Sequence, residues 1–86
     1  MFVKANNRKL IFEEDALRQF AIQFKLIRTS KGYTQESLSY KSNITLSQIA
    51  RIETFKINPT LSTIFVLCKA LEVAPEEVFK NIELKK

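Results

Sequence analysis

Residues 34–53, which read TQESLSYKSNITLSQIARIE, decide the fold of this chain. Thr34 is a good N-cap for a short helix over 35–42, because its hydroxyl can accept a hydrogen bond from a backbone N–H of the first turn. A further helix over about 45–54 follows after a turn of only a few residues. Two short helices joined by so tight a turn cannot lie antiparallel. The stretch therefore predicts a steep crossing with helix-turn-helix geometry.

The apolar side chains of this stretch have to fasten the crossing helices to the rest of the chain. They are Leu38, Ile44, Ile49 and Ile52. Ser39 is small enough for close approach of the helices, and Asn43 tolerates the left-handed backbone conformation of the turn. These residues are structural, which leaves the other polar positions free for function.

The flanking sequence predicts three more helices. The first runs over about 13–31, with apolar residues at three- and four-residue steps on one face, and Gly32 is placed to end it. A break at Pro59 precedes a helix over about 61–71. Pro75 opens a short fifth helix, because its fixed φ suits the first helical position.

Residues 1–12 allow two interpretations. Asn6-Asn7 between two segments with apolar residues favours a short β-hairpin, and a frayed arm that packs on the first helix is the alternative. On that helix, Ile22 and Leu26 lie four residues apart and project away from the predicted core. This second apolar stripe needs a cover, for which the N-terminal segment and another protomer are the two candidates.

The composition is that of an ordinary globular domain. The chain has 86 residues, 45% of them apolar and 27% charged, which suffices for one hydrophobic core and not for two. The net charge of +5 is concentrated in residues 16–70, which hold eight basic and two acidic residues. Such a surplus points to a polyanionic partner, although many soluble domains are mildly basic without one.

Residues that catalysis and metal binding need are scarce. The chain has no histidine, which removes the commonest general base and transition-metal ligand. Gly32 is the single glycine, so a glycine-rich phosphate loop is excluded, and the single cysteine, Cys68, lies among apolar residues where a buried thiol is expected. No apolar run approaches the length of a membrane span, and residues 1–9 lack a signal-peptide core. We therefore expect a cytoplasmic protein that is not an enzyme and uses no metal or cofactor.

Four separated motifs stand in a fixed order along the chain. They are Leu26-Ile27-Arg28, Gly32-Tyr33-Thr34-Gln35-Glu36-Ser37-Leu38, Ile49-Ala50-Arg51-Ile52-Glu53 and Asn58-Pro59-Thr60-Leu61. In order and spacing they resemble the Xre/Cro/phage-repressor (lambda repressor-like) helix-turn-helix family, over about residues 20–79. The resemblance implies an all-α, five-helix domain, here over 13–82 with a basic tail at 83–86, that binds two-fold DNA operators as a homodimer.

The resemblance also places the third helix in the major groove of double-stranded DNA, with its N-terminal half at the base edges. It implies base contacts by Thr45, Leu46, Ser47, Gln48 and Arg51, with a phosphate contact as the alternative for Gln48. Arg51 can bond bidentately to guanine, and Leu46 or the Thr45 methyl group can touch a thymine methyl group. The alternative for Thr45 and Ser47 is simple helix capping, and for Arg51 a solvated charge.

A second set of residues flanks the groove in relatives and is expected to contact phosphate. It comprises Gln35, Lys41, Lys56, Asn58 and Thr60. Each lysine has the alternative role of a solvated surface charge. Arg28 and Glu53 are implied to form a structural ion pair that holds the third helix against the first.

The sequence departs from the family pattern after Glu53. Thr54-Phe55 stands where relatives commonly place glycine, so the left-handed cap is expected to be absent or strained. Val66 stands where relatives often have a polar residue, and it marks an expected dimer interface, for which Phe65 and the residues of the fifth helix are further candidates.

Three functions remain open. The leading one is a homodimeric transcriptional regulator, more often a repressor in this family. A second adds a protein partner, as in an antitoxin that binds a toxin or in a restriction-modification controller. The third is a protein-interaction module that has lost DNA affinity. It predicts weak DNA binding with little salt dependence, whereas the first predicts a steep loss of affinity with salt.

Overall fold

The computed structural model describes residues 11–85, and these residues form five helices. The helices are α1 (Glu14–Ser30), α2 (Gln35–Ser42), α3 (Leu46–Glu53), α4 (Leu61–Leu71) and α5 (Pro75–Val78). No strand occurs among the described residues, and the prediction of an all-α, five-helix fold is confirmed. Most of the predicted hairpin or arm at 1–12, and the last residue of the predicted tail, lie outside the described residues.

Three helices begin at a threonine that caps them. Thr34, Thr45 and Thr60 have extended backbones, and each side-chain oxygen accepts a hydrogen bond from the backbone N–H three residues on. At α2 the bond is reciprocated, because Ser37 Oγ lies 2.9 Å from the Thr34 backbone N–H that donates to it. The caps fix where α2, α3 and α4 start, and hence the length of the turns between them.

The turns on either side of α2 depend on left-handed residues. Gly32 follows α1 with a φ of 84°, and Asn43 follows α2 with a φ of 64°. At the second turn, Ser39 Oγ donates to the Ile44 carbonyl at 2.6 Å. Together, the left-handed Asn43 and this bond keep the α2–α3 turn short, since α2 ends at Ser42 and α3 begins at Leu46.

The core lies between α4 and the other helices. Its largest fully buried side chains are Phe24, Leu38, Ile49, Ile52, Leu67, Leu71 and Val78. The helix-turn-helix packs on it through both members, since α2 contacts α4 and α3 contacts α1. α3 therefore cannot move without disturbing the core.

Beyond α5 the chain returns along α1. Gln19 Nε2 donates to the Glu83 carbonyl at 2.9 Å, and Gln19 Oε1 accepts from the Glu83 N–H at 2.9 Å. Gln23 donates to the carbonyl of Glu77 at 3.1 Å. Two glutamines on one side of α1 thus fasten α5 and the segment that follows it.

The expected second stripe on α1 is present. Ile22 and Leu26 are 58% and 59% exposed, so residues 11–85 leave both side chains largely open. The N-terminal cover considered for them falls outside the described residues. None of the helices between residues 11 and 85 is long and apolar enough to cross a membrane.

Candidate nucleic-acid interface

α3 has one buried and one exposed face. Ile49 and Ile52 are 0% and 2% exposed and anchor the helix in the core. Ser47 and Arg51 are exposed on the other side, and Leu46 is 40% exposed at the first turn. The N-terminal half of the helix therefore exposes both polar and apolar side chains. Its buried side chains hold the helix in place against the core.

Thr45 and Gln48 are partly engaged within the motif. Thr45 caps α3 and its hydroxyl oxygen accepts the Gln48 backbone N–H at 3.1 Å. Its side chain is nevertheless exposed, whereas Gln48 is half-buried. Capping and exposure coexist at Thr45, so its methyl group and hydroxyl remain at the surface beside Leu46 and Ser47.

A buried ion pair supports the end of α3. Arg28 Nε donates to Glu53 Oε2 at 2.6 Å and a second guanidinium nitrogen donates to Oε1 at 2.9 Å, so the contact is bidentate. The side chains of Arg28 and Glu53 are 8% and 2% exposed. The hydrogen bonds that Arg28 donates to the Glu53 carboxylate raise the pKa of Arg28 above its ordinary value, against the opposing effect of burial. The pair keeps both charges satisfied where water is scarce.

Tyr33 and Gln35 also bond to the Arg28–Glu53 pair, and the four residues form one cluster. Arg28 donates to the Tyr33 carbonyl at 2.7 Å, and Gln35 Nε2 donates to Glu53 Oε1 at 3.0 Å. The cluster thus joins the end of α1, the first turn of α2 and the end of α3. Gln35, expected at a phosphate, stands at the N-terminus of α2 with its amide oriented by Glu53.

The remaining expected phosphate contacts are spread over two places. Lys56 and Asn58 are exposed in the loop after α3, and Thr60 is exposed as the cap of α4. Asn58 Nδ2 lies 3.5 Å from the Ile11 carbonyl, which ties this loop to the start of the described chain.

Lys41 stands apart from that loop. It lies at the end of α2, where its Nζ donates to Tyr33 Oη at 2.6 Å and to Glu72 at 3.3 Å. The bond with the Tyr33 hydroxyl, reinforced by Glu72, raises the pKa of Lys41. Its charge is partly paired, and the structure brings it to α4 and not to the loop after α3.

The loop after α3 contains Phe55, which the sequence analysis noted only as a departure from the glycine of the family pattern. Phe55 has a φ of 45°, so it occupies the left-handed position where relatives place glycine. The Lys56 N–H donates to the Arg51 carbonyl at 2.9 Å and thereby closes the end of α3. The left-handed cap is therefore present, and a phenylalanine provides it.

Two surface residues were missed by sequence reasoning. The Arg18 guanidinium lies over the Phe55 ring, 4.4 Å from its centroid. Tyr40, on α2, is 90% exposed beside the turn that leads to Thr45. Neither has a sequence signal, because a polar residue on an amphipathic helix is expected to be exposed whatever its role.

Comparisons with known proteins agree with this arrangement. The helix-turn-helix family HTH_3 matches residues 24–78, and the chain belongs to that family. The resemblance drawn from the sequence is thereby confirmed. No curated protein matches the chain significantly.

Several solved structures are similar to the chain. The restriction-modification controller protein C.AhdI from Aeromonas hydrophila is 33% identical, with a TM-score of 0.71 over 73% of this chain and 96% of that one. The controller protein C.Esp1396I, solved as a tetramer with its natural 35 base-pair operator, is 36% identical, with a TM-score of 0.71 over 78% and 88%. A hypothetical transcription factor, NHTF from Neisseria, is 28% identical, with a TM-score of 0.71 over 84% and 83%.

Proposed function

We propose that the protein is a sequence-specific double-stranded DNA-binding regulator of transcription that acts as a homodimer and represses. The observation that carries the proposal is the exposed face of α3, formed by Ser47 and Arg51 with Leu46 at its start. Its opposite face is anchored by Ile49 and Ile52 in the core. A helix fixed in this way can enter a major groove without losing its own support.

Each expected base contact has a chemical role. The guanidinium of Arg51 suits the two acceptors of guanine, and the hydroxyls of Thr45 and Ser47 can bond to base edges. Leu46 offers an apolar surface to a thymine methyl group. Gln48 is half-buried, so we assign it to the edge of the contact, at a base or a phosphate.

Phosphate contacts would set the orientation of the domain on the duplex. Gln35 supplies an amide and lies at the N-terminus of α2, where backbone N–H groups favour an anion. Lys56, Asn58 and Thr60 supply donors on the loop that follows α3. We assign Lys41 a weaker, longer-range contribution, because Glu72 already offsets part of its charge.

The homodimer is supported by an apolar stripe on α4. Leu61, Phe65 and Val66 are 64%, 49% and 39% exposed on a helix whose other side forms the core. A stripe of this kind marks an association surface on a small domain. A symmetric pair formed through it would present two copies of α3 to the two halves of an inverted repeat.

In-vitro selection from random duplexes tests the function. We expect the purified protein to enrich an inverted repeat and to lose affinity steeply as salt increases. Arg51→Ala should relax the preference at the base pair that Arg51 reads, by about 1–3 kcal/mol. Lys80→Ala is the matched control, because it removes an exposed positive charge just after α5.

The selection has a clear negative outcome. If no sequence is enriched and binding stays weak at low salt, the chain is a protein-interaction module and the regulator is excluded. In that case the exposed stripe of Ile22 and Leu26 is the first surface to probe for a partner.

A restriction-modification controller is the second candidate. It is favoured by the likeness to C.AhdI, because the matched region covers 96% of that chain. This role predicts that the selected sequence occurs upstream of the protein's own gene and of a neighbouring endonuclease gene. Reporter assays on those upstream regions would distinguish it from a regulator of unrelated genes.

A further inference from the structure

Arg18 lies outside the helix-turn-helix but reaches the loop that follows it. Its guanidinium stacks on Phe55, with 4.4 Å between Cζ and the ring centroid. Phe55 stands next to Lys56, one of the expected phosphate contacts. The contact therefore places the positive charge of Arg18, a residue in the first half of α1, at the edge of the proposed DNA interface.

The backbone at Phe55 shows that this placement is costly. A φ of 45° puts a bulky residue in the left-handed region, which is strained for any residue other than glycine. Strain of this kind persists where the surrounding structure holds it, and it concentrates at functional sites. Glycine at this position would avoid the strain and would remove the ring that Arg18 stacks on.

The stacked guanidinium keeps its hydrogen-bond donors available. Within residues 11–85 the Arg18 guanidinium donates no hydrogen bond. Its one ion pair there is with Glu14, with 3.6 Å between Arg18 Nη2 and Glu14 Oε2. The two side chains are 50% and 63% exposed, and an ion pair so exposed to water is weak. A guanidinium that lies over an aromatic ring and makes no hydrogen bond to residues 11–85 can direct its N–H donors at the oxygens of a phosphate group.

We propose that Arg18, held by Phe55, forms a phosphate-binding site for the DNA backbone beside Lys56. This inference rests on the proposed function, and it adds a contact from α1 that lies outside the helix-turn-helix. Arg18 is the binding residue and Phe55 is a positioning residue. The ligand is a backbone phosphate, so the site adds affinity and salt dependence but no sequence preference.

Arg18→Gln tests the site, with Lys80→Gln as the control that removes an equal exposed charge elsewhere. Binding to the selected duplex should weaken on the order of tenfold per subunit, as for a lost hydrogen bond to a charged group. The slope of log affinity against log salt should fall by about 0.9 per subunit, or about two per dimer. The order of preferred sequences should not change. Lys80→Gln should leave the slope at its wild-type value.

Phe55→Leu tests the positioning role. Leucine keeps an apolar side chain and the left-handed strain but has no ring face, so DNA affinity should fall. Arg18→Gln should then weaken binding less in the Phe55→Leu protein than in the wild type. A purely structural role for Phe55 would instead give additive effects. Circular dichroism of each variant checks that the fold is retained.

The outcomes separate this inference from the proposed function. If Arg51→Ala relaxes sequence preference while Arg18→Gln leaves affinity and salt slope unchanged, the phosphate site is wrong and the regulator stands. Equal losses for Arg18→Gln and Lys80→Gln would also overturn the site, since they would reflect net charge alone. If the wild type shows no salt-dependent DNA binding, both proposals fall.

Discussion

The Arg28–Glu53 pair is a single contact on which the position of α3 depends. Both side chains are almost fully buried, and their charges have no other counter-charge among the hydrogen bonds of the cluster. A buried pair of this type contributes little when both members are replaced together, but losing one member leaves an unpaired charge away from water.

Arg28→Met should therefore lower the free energy of unfolding by about 3–5 kcal/mol. The double variant Arg28→Met with Glu53→Leu should recover much of that loss, because neither charge remains. Urea denaturation of the three proteins measures both effects. A single variant as stable as the wild type would show that water reaches the pair and that α3 is held by its apolar face alone.

The role of a residue could be predicted where the residue belongs to one of the family motifs. Arg28 and Glu53 were paired in advance because the resemblance to the helix-turn-helix family implies that pair, and the two side chains lie together. The contact of Arg18 with Phe55 was not predictable, because it joins distant parts of the chain through the path of a loop. The bond of Gln35 to Glu53 was missed because the resemblance assigned Gln35 to a phosphate contact.

α2 is an element that depends on its cap. It has eight residues, which is too short for a stable helix in isolation, and its interior side contributes chiefly Leu38 to the core. Its first turn is closed by the reciprocal bonds between Thr34 and Ser37. The start of the helix-turn-helix is thus stabilised locally as well as by packing.

Thr34→Ala should cost about 1 kcal/mol of stability, as expected for loss of an N-cap. Thr29→Ala is the matched control, because the Thr29 hydroxyl bonds only to carbonyls of its own helix, at 2.9 and 3.1 Å. The control should be neutral or slightly stabilising, since alanine is the better helix former. Thermal unfolding of both variants provides the comparison, and equal losses would mean that the cap contributes nothing specific.

Element boundaries could be read from the sequence almost to the residue. Capping threonines mark the starts of α2, α3 and α4, and Gly32 marks the end of α1, which begins one residue later and ends one residue earlier than expected. The segment after α5 was not predictable in this way. It is fixed by the side-chain amide of Gln19, whose partners are backbone groups that carry no sequence signature.

At the scale of the whole molecule, two apolar stripes compete for the role of dimer interface. Phe65 on α4 and Leu26 on α1 are 49% and 59% exposed, and they lie on different helices. The proposed dimer uses α4, because the sequence places three neighbouring apolar residues there and only two on α1.

Phe65→Glu should convert the dimer to a monomer, because it brings two carboxylates into an apolar interface. Its affinity for the inverted repeat should fall accordingly. Leu26→Glu is the matched control and should remain dimeric. Sedimentation velocity measures the oligomeric state of each variant. A monomeric Leu26→Glu together with a dimeric Phe65→Glu would assign the interface to α1.

The left-handed residues of this domain also bear on how its sequence can evolve. Among residues 11–85, only Gly32 of the five left-handed positions is glycine, while Phe55 and Glu72 carry full side chains. The Glu72 side chain is 77% exposed and its ion pair with Lys41 is open to water, so glycine there would relieve backbone strain at little cost in contacts. Stability gained in this way offsets destabilising substitutions elsewhere in a domain. Glu72→Gly is therefore expected to stabilise the domain, and the added stability would let it tolerate more substitutions among the proposed DNA-contacting residues of α3.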